Sequence, residues 1–228
     1  MWIVLALLSA FSLGIYDVLR KYSLKSNAVL PVLLCSTIAS SIMMLPLLIA
    51  SRIGSIDNTS WLYIPEISGE MHLLLICKAC IVLGSWIFVY YGLKHLPLSI
   101  VSPIRATAPI WTLIGALIIF AERPNMIQWI GLVVTLGFFF LFSFAGKREG
   151  INFKANKWVW FVIIGTLIGS CSALFDKYLI NSVGMPRMSI LCYYSFYQVL
   201  INIPLLFILW FPVRQTESFN WKWTIPMI

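Results

Sequence analysis

The chain has 228 residues, of which 61% are hydrophobic and only 11% are charged, and its formal net charge is +8. Soluble domains are about half apolar and about a quarter charged, so this composition excludes an ordinary soluble domain. The basic residues stand mainly at the ends of apolar runs, where lipid headgroups and membrane orientation explain them better than a nucleic-acid ligand. The sequence therefore predicts a multi-pass α-helical protein whose surroundings are the lipid bilayer and which binds no nucleic acid.

Apolar runs long enough to cross a hydrocarbon core of about 30 Å follow one another along the whole chain. Spans are predicted near Met1–Tyr22, Leu30–Ile49, Met71–Leu93, Leu98–Phe120, Met126–Phe144, Trp158–Leu179 and Met188–Phe211. The first span ends in charged residues and has no small-residue cleavage site, so we expect a retained helix and not a signal peptide.

The predicted fourth span carries Pro103, Arg105 and Pro109 in its first half. A proline cannot donate a hydrogen bond to the carbonyl four residues earlier, so Pro103 frees the carbonyl of Ser99 and Pro109 frees that of Arg105. Freed backbone groups are tolerated at membrane depth only where protein or a water-filled cavity surrounds them. This span therefore predicts a helix that lines a cavity. The alternative is a kinked packing helix whose arginine reaches to the membrane surface.

Each basic residue inside a predicted span has an acid available at the same depth. The first span ends and the fourth begins at one face, which brings Asp17 level with Arg105. The third begins and the sixth ends at the opposite face, which brings Lys78 level with Asp176. Buried charges are usually paired, so we predict these two ion pairs. Asp17 also stands four residues before Lys21, which leaves a local pair open.

Other polar and small residues in the spans complete the set of candidates. Tyr90 could stack on a substrate, although aromatic residues in membrane helices more often pack or anchor. Gly165, Gly169 and Ala173 are spaced as a close helix-packing seam. The candidate substrate-binding or cavity-lining residues are Asp17, Lys78, Tyr90, Ser99, Pro103, Arg105, Pro109 and Asp176.

Two short motifs recur along the chain at nearly equal spacing. Arg20-Lys21-Tyr22 ends the first span as Asp176-Lys177-Tyr178 ends the sixth, and Leu45-Pro46-Leu47-Leu48 closes the second as Ile203-Pro204-Leu205-Leu206 closes the seventh. The repeat unit then holds five helices, and an odd number inserts the second copy upside down. We expect a first unit over residues 1–146 and an incomplete second unit over 157–228, in an all-α ten-helix plan that the chain leaves truncated.

Residues 90–131 carry a set of motifs that together resemble one family. They are Tyr91-Gly92-Leu93, Leu96-Pro97, Pro103 with Pro109, Glu122-Arg123-Pro124 and Gln128-Trp129-Ile130-Gly131. The stretch resembles the EamA-type families of the drug/metabolite transporter superfamily. The resemblance implies alternating-access transport of small organic metabolites, such as amino acids, sugars, nucleotide-linked metabolites or drugs.

The sequence shows no Ser/His/Asp set, no paired zinc-ligand histidines and no phosphate-binding glycine loop, so we expect neither an enzyme nor a cofactor. Cys77 and Cys80 have metal-site spacing, but buried packing is the preferred interpretation, and no metal is expected. Transport would be secondary or facilitative, of a substrate that could be anionic, in a bacterial inner membrane, and a homodimer is compatible with the sequence. The alternative is a seven-helix receptor or another non-transport membrane protein. The positive-inside rule favours an external N-terminus, whereas family habit favours an internal one.

Overall fold

The computed structural model describes residues 2–25, 27–146, 156–217 and 219–220, and within them the regular structure is helical, with no strand. The helices are α1 Trp2–Leu24, α2 Val29–Ile53, α3 Gly69–His95, α4 Leu98–Arg105, α5 Ala108–Phe120, α6 Met126–Gly146, α7 Lys157–Asn181 and α8 Arg187–Leu205. The expected all-α fold is thus confirmed over these residues.

Five stretches of the described residues are long and apolar enough to cross a membrane. They are Val29–Ile53, Gly69–His95, Leu98–Phe120, Lys157–Asn181 and Arg187–Val213, and they confirm the predicted second, third, fourth, sixth and seventh spans. The predicted first span corresponds to helix α1, Trp2–Leu24. The predicted fifth span corresponds to helix α6, Met126–Gly146. The chain is therefore a multi-pass membrane protein.

The ends of several helices are fixed by specific local contacts. The side chain of Ser68 accepts a hydrogen bond from the backbone N–H of Met71 at the start of α3, and Asn156 accepts one from Trp158 at the start of α7. Each satisfies one N–H that has no partner inside its own helix. Gly54 ends α2 with a φ of 78°, a conformation that glycine adopts without steric cost.

The seventh predicted span differs from the expected continuous helix to Phe211. Helix α8 ends at Leu205, one residue after Pro204, and the chain continues as a π-helical turn, Leu206–Trp210, and a 3₁₀ turn, Phe211–Val213. Because Pro204 has no N–H to donate, it disturbs the regular hydrogen-bond pattern at this point.

Helix α3 lies at the centre of the bundle and packs against α7, α8 and α2. Its contact with α7 is close because glycines stand in it. A Cβ atom built on Gly92 would lie 2.2 Å from Cγ2 of Val162, and one on Gly165 would lie 2.7 Å from Cγ2 of Val89. One on Gly169 would lie 3.0 Å from Oγ of Ser85. The predicted packing seam is therefore confirmed at Gly165 and Gly169, whereas Ala173, its third predicted member, is exposed.

Side-chain contacts show which helix termini share an end of the bundle. At the end that holds Asn27, here called the Asn27 end, Nζ of Lys21 in α1 donates to the carbonyl of Leu93 in α3, and the ring of His95 stacks on that of Trp158 with centroids 3.6 Å apart. At the opposite end, here called the Pro65 end, Oγ of Ser189 donates to the carbonyl of Pro65 at 3.3 Å. Helix α1 thus ends and α4 and α7 begin at the Asn27 end, and α3 and α8 begin at the Pro65 end.

Candidate functional site

The fourth predicted span is one crossing built from two helices. Helix α4 ends at Arg105 and α5 begins at Ala108, with a turn between them in which Thr107 N–H bonds to the carbonyl of Ile104 at 3.1 Å. Pro109 cannot donate to the carbonyl of Arg105, so the α-helical hydrogen-bond pattern loses one bond at this point. The single span expected over Leu98–Phe120 is corrected to two helices, with Pro109 in the first turn of the second, a position that proline favours.

One backbone carbonyl beside this break, that of Ala108, has a partner in a neighbouring helix as well as one in α5. The hydroxyl of Ser170 in α7 donates to the carbonyl of Ala108 at 3.2 Å, and that of Thr112 donates to the same carbonyl at 3.0 Å. Unpaired backbone groups cost several kcal/mol in a hydrocarbon environment. The break is therefore held against α7, inside the protein.

Arg105 ends α4 and pairs with Asp17 of α1. The Nη1 atom of Arg105 lies 2.7 Å from Oδ1 and 2.8 Å from Oδ2 of Asp17, and the two side chains are 30% and 19% exposed. Each stands seven residues from its helix terminus at the Asn27 end, which is about 10 Å at 1.5 Å per residue. The predicted pair is confirmed.

The alternative use of Asp17, a local pair with Lys21, is not formed. The Nζ atom of Lys21 instead donates to the carbonyls of Leu93 at 2.5 Å and Leu96 at 2.8 Å. These carbonyls lie at the C-terminus of α3, where the last turn lacks intrahelical partners and carries partial negative charge. Lys21 therefore ties α1 to the end of α3 and leaves Asp17 to Arg105.

Arg20 also belongs to this site, although the sequence indicated it only as one of the basic residues at helix ends. It is only 4% exposed. Its Nη1 atom lies 3.6 Å from Oδ1 of Asp17, and its guanidinium carbon lies 4.2 Å above the ring of Tyr16 and 4.6 Å above that of Tyr90. The sequence does carry a signal for this, because Arg20 stands three residues after Asp17 and four after Tyr16, the two spacings that bring helical side chains together.

Tyr90 supports Arg20 and is not among the residues that line the cavity described below. It is fully buried, and its hydroxyl lies 3.4 Å from that of Tyr16. Because Arg20 covers its ring, the expected stacking of Tyr90 on a substrate does not fit this conformation. Of the other candidates, Pro103 is buried, Ser99 is half-buried, and Pro109 is exposed in a groove beside α6.

A cavity of about 180 Å³ adjoins the ion pair between α1, α3, α4, α5 and α7. Its lining residues are Arg20, Ser85, Trp86, Val89, Arg105, Ala108, Gly165, Thr166 and Gly169. With about 30 Å³ for each water molecule, this space holds roughly six waters or a small polar group. The glycines of the α3–α7 seam thus also border the cavity, which the packing interpretation did not predict.

A second charged cluster lies toward the Pro65 end. The Nζ atom of Lys78 is 2.5 Å from Oδ1 of Asp176 and 5.0 Å from the centre of the Tyr194 ring. Lys78 is 4% exposed, whereas Asp176 is partly open to a cavity of about 320 Å³ that Arg187 also lines. The second predicted pair is therefore confirmed as a contact, and it links α3 to α7.

Metal-site spacing in the sequence is not matched by a ligand cluster in the described part of the chain. No group of three or more His, Cys, Asp or Glu side chains comes together there. Cys77 and Cys80 are exposed, unlike the buried packing expected, because they lie on an outward face of α3. Nδ1 of His72 is engaged with the hydroxyl of Tyr197 at 2.8 Å.

The sequence also matches a known protein family. The family model described as EamA-like transporter family matches residues 1–144, which is more than half of the chain and covers α1 to α5 and most of α6. A search of curated proteins found no match. Members of the matched family are membrane transporters and not enzymes. The broken helix, the charged residues inside the bundle and this match agree, and the chain belongs to the EamA-like transporter family, within the drug/metabolite transporter superfamily.

Proposed function

We propose that the protein is a secondary or facilitative transporter that moves small organic metabolites, such as amino acids, sugars or drugs, by alternating access. The observation that carries this proposal is the Arg105–Asp17 ion pair at the break between α4 and α5, beside a cavity inside the bundle. Discontinuous helices that expose backbone and charge inside the membrane recur at the substrate sites of secondary transporters. The proposed location is a cell membrane, specifically a bacterial inner membrane.

The two ion pairs suit a protein that opens to one side at a time. Arg105–Asp17 joins α4 to α1 toward the Asn27 end, and Lys78–Asp176 joins α3 to α7 toward the Pro65 end. A charged side chain inside a membrane helix costs about 3 kcal/mol on insertion scales, so such residues usually serve a function. We propose that each pair holds helices together at its own end and separates when that end opens.

The direction of the helices supports the inverted repeat. Helices α1 and α2 are joined at the Asn27 end, whereas α7 and α8, their proposed counterparts, are joined at the Pro65 end. This reversal is what two five-helix units of opposite orientation require of their first two helices. We therefore keep the units 1–146 and 157–228 as part of the proposal.

Reconstitution tests the proposed function directly. The full chain would be purified, inserted into liposomes and assayed for counterflow of radiolabelled amino acids, sugars and organic anions without ATP. We expect exchange of at least one class above protein-free liposomes, and loss of it in Arg105→Leu. The matched control is Arg52→Leu, which removes an exposed arginine that pairs with Glu66 at 3.0 Å at the Pro65 end. Counterflow of no compound by the wild-type protein would overturn the proposal.

A further inference from the structure

Arg20 is buried with part of its hydrogen-bonding capacity unused. Its side chain is inside the bundle and lines the 180 Å³ cavity, yet its Nε atom has no hydrogen-bond partner. A guanidinium has five N–H donors, and leaving one unpaired in a water-poor interior is costly. Because the guanidinium of Arg20 has unused donor capacity beside the cavity, an anion placed there would lie next to a positive charge that is only partly compensated.

The charges around the cavity do not balance. Asp17 is the acid in contact with both Arg20 and Arg105, so two guanidinium groups share one carboxylate. Four other acids of the described residues pair with bases elsewhere: Glu66, Glu122, Asp176 and Glu217. Uncompensated charge in a low-dielectric interior attracts a counter-ion strongly. The cluster therefore favours an additional anion and disfavours a cation.

Asp17 occupies only part of the donor set that the two arginines present. Both of its oxygens bond to Nη1 of Arg105, and its contact with Nη1 of Arg20 is longer, at 3.6 Å. Guanidinium groups bind carboxylate and phosphate oxygens in pairs because their N–H donors are fixed in one plane. An anion in the cavity could thus be held by both arginines while Asp17 stays bonded to Arg105.

We propose that Arg20 and Arg105 together form an anion-binding site and that the transported molecule carries a carboxylate or phosphate group bound there. This inference rests on the transport function proposed above, and it makes Arg20 a substrate-binding residue. The cavity has room for the charged group itself, and Ser85 and Thr166 add hydroxyl groups to its wall. Tyr16 and Tyr90 keep the Arg20 guanidinium in place between their rings.

The binding test uses the full chain in detergent, with inorganic phosphate and acetate as probes. Its apparent melting temperature would be followed by tryptophan fluorescence as either anion replaces chloride at constant ionic strength. We expect a saturable rise with at least one probe, and which probe acts distinguishes a phosphate from a carboxylate. In Arg20→Gln the apparent affinity should fall about tenfold or more, as for loss of a buried charged contact. Arg52→Gln, the exposed control, should bind as the wild type does.

Two outcomes would overturn the anion site. One is the absence of a saturable shift with both anions in the wild-type protein, and the other is an unchanged affinity in Arg20→Gln. If Arg20→Gln does not fold, Arg20→Lys replaces it, because lysine keeps the charge but lacks the planar pair of donors. Anion binding without counterflow of any compound would remove the transport proposal and leave the site. Counterflow of neutral compounds that continues in Arg20→Gln, together with no anion binding by the wild-type protein, would remove the anion site and leave the transport proposal.

Discussion

The Nη1 atom of Arg105 lies within 2.8 Å of both carboxylate oxygens of Asp17, although the two residues are 88 positions apart in the chain. The contact joins the end of α4 to α1 at the point where the fourth crossing is broken. In the alternating-access cycle proposed above, this pair changes partners when the helices move. The contribution of each charge can therefore be tested by replacing one of the two residues at a time.

Replacing Arg105 with leucine should abolish transport while membrane insertion stays intact. Leucine is cheaper than arginine inside a membrane helix by about 3 kcal/mol on translocon scales, so insertion should not suffer. Counterflow in liposomes, normalised to the amount of folded protein, measures the effect. Arg105→Lys should keep partial activity, since lysine retains the charge without the planar fork. Normal counterflow by Arg105→Leu would make Arg105 a packing residue whose side chain reaches the membrane surface.

Replacing Asp17 with asparagine should destabilise the protein more than replacing Arg105 does. The change leaves Arg20 and Arg105 together without their shared carboxylate, and removing one partner of a buried pair costs about 3 kcal/mol or more. The apparent melting temperature should fall by roughly 10 °C, at about 2–4 °C for each kcal/mol in a chain of this size. The exchange of both charges, Asp17→Arg with Arg105→Asp, should recover part of the stability but not transport. An unchanged melting temperature in Asp17→Asn would contradict the pairing.

The depth of each pair could be predicted from sequence, because the order of the spans fixes which termini share a face and the rise per residue fixes depth. That argument placed Asp17 with Arg105 and Lys78 with Asp176. It could not place Arg20, whose burial depends on Tyr90, a residue of another helix that packs over it. Pro109 likewise indicated a break, but the hydroxyl that donates to the neighbouring carbonyl of Ala108 belongs to Ser170 of α7, and no local sequence pattern predicts such a contact.

Removing Asp176 should destabilise the protein, and removing both members of its pair should restore much of the loss. Asp176→Ala leaves Lys78 charged and almost fully buried without its partner. We expect the free energy of unfolding to fall by about 1–3 kcal/mol, and not more, because the position of Asp176 is partly exposed to water. Lys78→Met combined with Asp176→Ala removes the unpaired charge and keeps the apolar stem that fills the space beside Tyr194. Thermal unfolding of the single and double variants measures the coupling. Strictly additive effects would show that the 2.5 Å contact contributes no stability.

Gly165→Ala should weaken the seam between α3 and α7 and narrow the cavity that it borders. The added Cβ would lie 2.7 Å from Cγ2 of Val89 and 3.0 Å from the backbone carbonyl oxygen of Ser85, neither of which can move freely. Overpacking of this kind typically costs about 1–3 kcal/mol, so we expect a lower apparent melting temperature and slower counterflow. Gly84→Ala is the matched control, because a Cβ atom on Gly84, also in a membrane-spanning helix, would meet nothing within 4 Å. That control should be neutral or slightly stabilising, since alanine favours the helix by up to about 1 kcal/mol over glycine. Equal melting temperatures for the two variants would show that the helices can separate at the seam without cost, against the close packing described above.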